Sequence, residues 1–246
     1  MRLLTGASGM IGRNMKEVHP EMLAPTHSEL DLTNRSQVRD YLEHVKPESI
    51  IHCASNDDEI CLYDNLRMFA NLAESGIPMV IFSTGRDIED RPGKVGEYIL
   101  SKHIAQELAI SKYKHILVIK IWGCFGKYEI DTRFFMDNML RVKANLPIIV
   151  KENKVFSYVY VNDLVNIAWD VPINSYVTRI VAYTMTLYQY AFILKVVTKS
   201  PHEIICQDQN YYNSYVGKND WTNFNFTPLE TALREMWNVV NSDTSV

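Results

Sequence analysis

The feature that most constrains this chain lies in its first twelve residues. A short apolar strand runs into residues 5–12, which read TGASGMIG and form a TGxxGxxG pattern. Gly6 permits a tight turn, Gly9 lets a pyrophosphate approach the backbone, and Gly12 lets the next helix pack against the sheet. The start of that helix offers unpaired N–H groups to phosphates. The turn therefore predicts a dinucleotide site, to which we add Ser8, Met10, Ile11 and Arg13.

Strands and helices alternate after this turn. We predict strands over 2–4, 22–24, 50–53, 79–82 and 116–121. Helices are predicted over 11–18, 60–75 and 97–110, and a further helix between Asn34, its expected N-cap, and Pro47. Strands that are apolar on both faces and separated by helices indicate an α/β fold with a doubly wound parallel sheet of the Rossmann type.

The second half of the chain is less regular. We predict helices over 132–142, 163–169, 187–197 and 228–239, and strands over 156–161 and 179–183. No linker is evident, so we expect a dinucleotide-binding domain over 1–125 with a return segment at about 155–170. The smaller substrate-binding part then comprises 126–154 and 171–246.

Composition disfavours several classes of function. The net charge of −4 argues against non-specific nucleic-acid binding, which needs a basic surface. No apolar segment is long enough to span a bilayer and no signal peptide is evident, so we expect a cytoplasmic protein that does not bind membranes. The cysteines lack metal or CxxC spacing, and we predict reduced thiols and no metal site; they are Cys53, Cys61, Cys124 and Cys206.

Tyr98 and Lys102 are separated by one helical turn and lie on one face of the predicted helix. The positive charge of Lys102 favours the phenolate and lowers the pKa of Tyr98 from about 10. Such a pair can exchange a proton with a carbinol or a carbonyl. The spacing also arises by chance, but Ser83 and Thr84 end the preceding buried strand. Because the carboxyl ends of parallel strands face the cofactor crevice, a hydroxyl there can bind the same substrate oxygen.

Together these motifs resemble the short-chain dehydrogenase/reductase superfamily. Residues 28–33 with 50–54, and residues 156–165, are similar to its extended branch of nucleotide-sugar epimerases, dehydratases and reductases, notably GDP-fucose synthases and dTDP-dehydrorhamnose reductases. The likeness covers residues 1–170 well and returns at 226–230.

The resemblance implies a role for each matching residue. Tyr98 would be the catalytic acid/base, and Lys102 would lower its pKa and hold the nicotinamide ribose. Thr84 would be the catalytic hydroxyl, with Ser83 as second choice. Residues of several loops would surround the cofactor: Asp31 and Leu32 border the adenine, Cys53 and Ala54 line the cofactor backbone, and Gly123–Phe125 pass near the nicotinamide.

Differences from the family pattern reduce the number of reactions that we expect this protein to catalyse. Dehydratases carry an acidic pair after the Ser/Thr, where this chain has Gly85 and Arg86, so dehydration is disfavoured. GDP-fucose synthases pair a cysteine with a histidine to epimerise their substrate. In this chain Arg86 occupies the position of that cysteine, and residues 127–135 contain no histidine, so double epimerisation is disfavoured. Phe156 replaces a customary arginine. We therefore expect the substrate diphosphate to contact Lys151, Lys154 or Arg133.

Three functions remain open. The first is NAD(P)H-dependent reduction of a nucleotide-activated 4-keto-6-deoxy sugar, the second is carbon-4 epimerisation with tightly bound NAD, and the third is regulation without catalysis. We favour NADP over NAD because residues 25–28 contain no carboxylate, while Arg13 and Arg35 could meet a 2′-phosphate. A homodimer is expected.

Some residues that resemble site residues have simpler interpretations. His52 lies in a buried strand, which indicates a core residue. Residues 56–59 are acidic, as is typical of a helix N-terminus. The aromatic residues of 211–221 could stack on a nucleotide base or could form a lid or an interface.

Overall fold

A computed structural model describes residues 1–56, 61–85, 96–174, 176–208 and 215–242. The chain divides into two compact units. The first unit comprises residues 1–121 and 165–179, and the second comprises 122–164 and 180–246.

The helices occur in the predicted order, whereas three strands of three residues each were not predicted. The strands are β1 (Arg2–Thr5), β2 (Ser49–His52), β3 (Met79–Thr84), β4 (Ile116–Ile121), β5 (Gly123–Phe125), β6 (Ile148–Val150), β7 (Val155–Tyr160), β8 (Tyr176–Ile180), β9 (Tyr183–Thr186) and β10 (Ile204–Cys206). The helices are α1 (Met10–Val18), α2 (Arg35–Val45), α3 (Leu62–Ala73), α4 (Glu97–Ser111), α5 (Phe134–Lys143), α6 (Val161–Asp170), α7 (Leu187–Thr198) and α8 (Leu229–Ser242).

The first unit is built on a sheet with the strand order β1-β2-β3-β4-β8. Strands β1 to β4 are parallel neighbours, and their apolar side chains are buried on both faces. Helices α2, α3 and α4 contribute to the core that covers the sheet, with Val38, Phe69 and Ala109 among its buried residues. This arrangement is the predicted doubly wound parallel sheet, since helices must cover strands that are apolar on both faces.

Local signals account for where these elements begin and end. The Asn34 side chain accepts a hydrogen bond from the Gln37 N–H, which confirms the predicted N-cap of α2. The predicted strand at 22–24 is reduced to a single bridge between Leu23 and Leu3. Pro20 and Pro25 bracket this segment, and proline cannot donate to a strand ladder, so the pairing cannot extend.

The second unit contains a three-stranded sheet of order β5-β7-β9 and a two-stranded sheet of β6 and β10. Strand β7 is parallel to β5 and antiparallel to β9. Buried rings fill its core, as Phe135 packs against Phe125, Tyr158 and Tyr190 at centroid distances of 4.4, 5.0 and 5.5 Å.

The division of the chain differs from the predicted one. The return segment expected at 155–170 is split, because β7 pairs with β5 and β9 and so belongs to the second unit. The same pairing places β5 in the second unit rather than in the dinucleotide-binding domain. The strand expected at 179–183 is also split, since β8 ends at Ile180 and β9 begins at Tyr183. In the part of the chain that the structure describes, no helix is both long and apolar enough to cross a membrane.

Candidate active site

Among the three glycines of the turn, only Gly9 has room for an added group beside its Cα atom. Gly6 has a φ of +72°, and a Cβ there would collide with the backbone of Ala54. A Cβ on Gly12 would collide with the carbonyl oxygen of Gly6. At Gly9 the nearest atom would be 3.6 Å away, which is ordinary contact. Packing thus requires the first and third glycines, whereas the second leaves room for a ligand group.

The N-terminus of α1 follows directly. Gly9 is its N-cap and provides no side-chain hydrogen bond to the helix backbone. Ser8 and Arg13 are exposed, and Met10 and Ile11 are half-buried in the first turn. This is the geometry of a helix terminus that can accept an anion.

Strand β2 brings the next predicted loop beside this turn. His52 pairs with Thr5 of β1, and its Nδ1 lies 2.7 Å from the threonine Oγ1. Burial, with a smaller contribution from the charge of Lys102, lowers the pKa of His52 to about 3. A neutral, buried histidine bonded to a neighbouring strand confirms the prediction of a core residue. Cys53 and Ala54 follow it and are half-buried.

Helix α4 carries Tyr98 and Lys102 as predicted. The Lys102 Nζ lies 5.4 Å from the centroid of the Tyr98 ring. Burial lowers the pKa of Lys102 to about 8, and the nearby thiols of Cys53 and Cys61 oppose this shift. Burial also raises the pKa of Cys53 to about 12, so this thiol is neutral at physiological pH. The structure therefore brings the loop after β2 and the predicted catalytic lysine together.

The two hydroxyls at the end of β3 have different surroundings. Ser83 is 4% exposed, and its buried Oγ has no hydrogen-bond partner among the described residues. Thr84 is half-buried and ends the strand opposite Ile121. Because successive side chains point to opposite faces, only one of them can face the same side as Tyr98. Arg86, which follows, lies outside the described residues.

A buried polar network that sequence reasoning missed supports this region. Asn65 of α3 accepts a hydrogen bond from Asn56 N at 2.8 Å and donates to Asn56 O at 2.8 Å and to Ser101 Oγ at 3.2 Å. The Ser101 hydroxyl donates to the Tyr98 carbonyl at 2.7 Å. Glu97 accepts from Leu62 N, the first residue of α3, at 3.0 Å. The network ties the loop after β2 to the helical turn that bears Tyr98.

The loop predicted to border the adenine and its ribose contains two carboxylates. Glu29 accepts hydrogen bonds from Thr26 N at 2.7 Å and Thr26 Oγ1 at 2.8 Å, which lower the pKa of Glu29. Asp31 accepts from Thr33 in the same way. Leu32 is buried in the core.

Arg35, one of the two arginines considered for a 2′-phosphate, instead forms an exposed ion pair with Glu74 at 2.8 Å. The other, Arg13, is exposed and belongs to α1.

Gly123 begins the segment predicted to pass near the nicotinamide, and it belongs to the second unit. A Cβ there would lie 2.5 Å from the Tyr158 ring, so the strand needs glycine for packing. Phe156 stacks on Tyr158 at 4.6 Å and contacts Tyr215 at 4.8 Å. Tyr211 and Tyr212, considered for base stacking, lie outside the described residues. No group of three or more His, Cys, Asp or Glu side chains suited to a metal occurs in the described ranges.

Parts of the chain are similar to a known protein family and to curated proteins. The family model of the RmlD substrate binding domain matches residues 1–59. GDP-L-colitose synthase of Yersinia pseudotuberculosis is 26% identical over 168 residues, 52% of this chain and 54% of that protein. GDP-6-deoxy-D-talose 4-dehydrogenase of Aggregatibacter actinomycetemcomitans is 28% identical over 156 residues, 50% of this chain and 53% of that protein. The chain spans about half the length of these curated relatives.

Solved structures extend the likeness to the whole chain at the level of the fold. The GDP-L-fucose synthetase of Naegleria fowleri bound to NADP aligns with a TM-score of 0.82 and 14% identity, over 99% of this chain and 94% of that one. These findings confirm the Rossmann-type α/β fold and the resemblance to nucleotide-sugar reductases and epimerases.

Proposed function

We propose that this protein is an NADP-dependent oxidoreductase that reduces the 4-keto group of a GDP-activated deoxy sugar. The observation that carries the proposal is the Tyr98–Lys102 pair, with its ammonium 5.4 Å from the ring centroid, on a helix tied to the loop after β2. Both curated relatives are named for GDP-sugars. The GDP-L-fucose synthetase structure contains NADP.

The residues of the first unit fit the cofactor. Gly9 leaves room where a pyrophosphate would approach, and α1 presents an uncapped N-terminus there. We assign the cofactor to loops that follow β1, the bridged residue Leu23, and β2. NADPH, when bound, supplies the hydride for ketone reduction.

Side chains of this protein would transfer the proton and stabilise the charge that remains. Tyr98 would donate its phenolic proton to the substrate carbonyl oxygen, and the Thr84 hydroxyl would hold that oxygen in place. Lys102 would stabilise the phenolate that remains, because a nearby positive charge favours the ionised form. Its burial strengthens this effect, since charges interact more strongly where water is excluded.

The test is NADPH oxidation by the full chain with a GDP-4-keto-6-deoxyhexose. We expect turnover, and we expect Tyr98→Phe to reduce it by at least about a hundredfold, as for removal of a general acid. Tyr63→Phe is the matched control, because Tyr63 is 72% exposed on α3. Its rate should equal that of the wild type.

Two other results would replace the proposal. NAD that remains bound through purification, together with interconversion of 4-epimers, would show the epimerase. Biological activity that Tyr98→Phe leaves intact, without turnover of any keto-sugar nucleotide, would show a regulatory protein.

A further inference from the structure

Helix α7 buries one apolar face and exposes a second one. The buried face packs inside the second unit and consists of Leu187, Tyr190, Ala191, Leu194 and Val197. On the opposite side, Tyr188 is 41% exposed, Phe192 is 56% exposed and Val196 is 59% exposed. These three residues follow one another at intervals of four, so they form one stripe along the helix. We call this stripe the outer face of α7.

Helix α8 of the same unit shows the contrasting, ordinary pattern. It buries Leu233 and Met236, and its exposed positions include Thr231, Arg234 and Asn238. A helix that faces solvent carries polar residues opposite its buried face, whereas a helix that is apolar on every side is normally covered. The outer face of α7 therefore indicates a surface that another molecule covers.

The size of the outer face fits the apolar centre of a small protein interface. Its three exposed fractions correspond to roughly 300 Å² of apolar surface, which is the size of patches that often serve a function. Two such faces packed together would bury roughly 600 Å², the apolar share of an interface of about 1,000 Å². That total lies at the lower end of specific protein contacts, so two α7 helices offer enough surface for association.

The outer face is also symmetric about its middle residue. Tyr188 and Val196 lie four residues before and after Phe192, about 6 Å along the helix in each direction. If two α7 helices cross antiparallel at Phe192, the two phenyl rings meet on a two-fold axis, and each Tyr188 opposes the Val196 side chain of the other copy. Large side chains then face small ones, which allows close packing. The same patch on both copies is what a two-fold homodimer requires.

Charges at the two ends of the outer face are complementary in such a pair. The loop before β7 lies at the N-terminal end, because Tyr188 N donates a hydrogen bond to Asn153 Oδ1 at 3.1 Å. Each end carries one exposed cation and one exposed anion, namely Lys151 and Glu152 at the N-terminal end and Lys199 and Glu203 at the C-terminal end. Antiparallel packing brings the N-terminal end of one helix to the C-terminal end of the other, so every charge meets one of opposite sign.

We propose that the outer face of α7 is an interface between two copies of this chain, packed antiparallel about a two-fold axis at Phe192. The carboxylates at its ends disfavour an anionic membrane surface, which binds helices whose polar side is rich in lysine and arginine. The interface lies on the second unit alone. It goes beyond the proposed function and does not depend on it.

The first experiment measures the mass of the full chain by sedimentation equilibrium, from about 0.1 to 100 µM. We expect Phe192→Glu to weaken self-association by at least about a hundredfold and so to halve the mass of the assembly, because two carboxylates would meet on the axis. Phe192→Leu stays apolar and should keep the wild-type mass. Tyr63→Glu is the matched control, because Tyr63 is an exposed aromatic residue on a helix of the first unit. Circular dichroism checks that each variant is folded.

A second experiment tests the antiparallel direction by exchanging charges. Glu152 keeps 59% of its side chain exposed beside Lys154, so it is accessible to a second copy. Glu152→Lys and Lys199→Glu should each weaken self-association by about tenfold, because each turns two attractive pairs into repulsive ones. The double variant should recover the wild-type affinity. Loss of the local pair with Lys154 persists in the double variant, so recovery is specific to the contact between copies. A double variant weaker than either single variant would overturn the antiparallel arrangement.

Three results of the first experiment would overturn the interface itself. One is a wild type that stays monomeric up to about 100 µM. Another is an assembly that Phe192→Glu leaves intact and Tyr63→Glu halves, which would move the interface to the first unit. The third is a monomeric wild type that sediments with vesicles of phosphatidylcholine and phosphatidylserine while Phe192→Glu does not, which would identify a membrane surface as the occupant.

Discussion

Asn65 offers the sharpest test of how the first unit holds α4, the helix that bears Tyr98. The side chain makes three hydrogen bonds, two to the Asn56 backbone and one to Ser101 Oγ, and it is 7% exposed. Asn65→Ala leaves all three partners without it. At about 1 kcal/mol for each bond, the free energy of unfolding should fall by about 3 kcal/mol. For a chain of this size that lowers Tm by roughly 6–12 °C.

Asn71→Ala is the matched control, because Asn71 lies on the same helix and donates one hydrogen bond, to Leu32 O at 2.8 Å. It should cost about 1 kcal/mol. Urea unfolding followed by circular dichroism measures both variants, and the rate of NADPH oxidation shows whether Tyr98 is displaced. Equal losses for the two variants, or a destabilised Asn65→Ala with a wild-type rate, would refute the view that this network positions Tyr98.

Two further predictions concern the glycine-rich turn and the lysine. Gly12→Ala places a Cβ against the Gly6 carbonyl, and such overpacking should cost about 1–3 kcal/mol in urea unfolding. Gly96→Ala meets nothing within 4 Å, so it should cost only about 0.5–1 kcal/mol, for placing alanine at the N-cap of α4. Because the pKa of Lys102 is lowered to about 8, its charged fraction falls from about nine-tenths at pH 7 to about one-tenth at pH 9. The reduction rate of the wild type should therefore fall between pH 7 and pH 9. The rate of Lys102→Arg should not fall over this range, because arginine stays charged. If the rate of Lys102→Arg falls between pH 7 and pH 9 as the wild-type rate does, the titrating group is not Lys102.

The sequence predicts most of the first unit because its signals are local. The Asn34 cap and the apolar run at 116–121 appear in the structure as α2 and β4. Each depends on periodicity or capping within a few residues. The three-residue strands β5, β6 and β10 escape prediction, since so short a segment shows no period.

The sequence predicts which residues of the candidate site lie together only where those residues belong to the same helix or strand. Tyr98 and Lys102 share a helix, so their spacing alone places them on one face. Asn65 and Ser101 are 36 residues apart and meet through packing of α3 against α4. The one available signal was a polar residue on the buried face of each helix, since a buried polar group requires a partner. Such a residue predicts that a partner exists without identifying it.

The same limit explains why the sequence could not rank the candidate diphosphate cations. Arg133, Lys151 and Lys154 have comparable charge, and the replacement at Phe156 shows only that a customary cation is missing. The ranking depends on tertiary features, such as the ion pair between Lys154 and Glu152 at 3.1 Å, which engages one of the three cations. The availability of each cation for an anion therefore depends on which side chains the fold places beside it, and not on the order of residues.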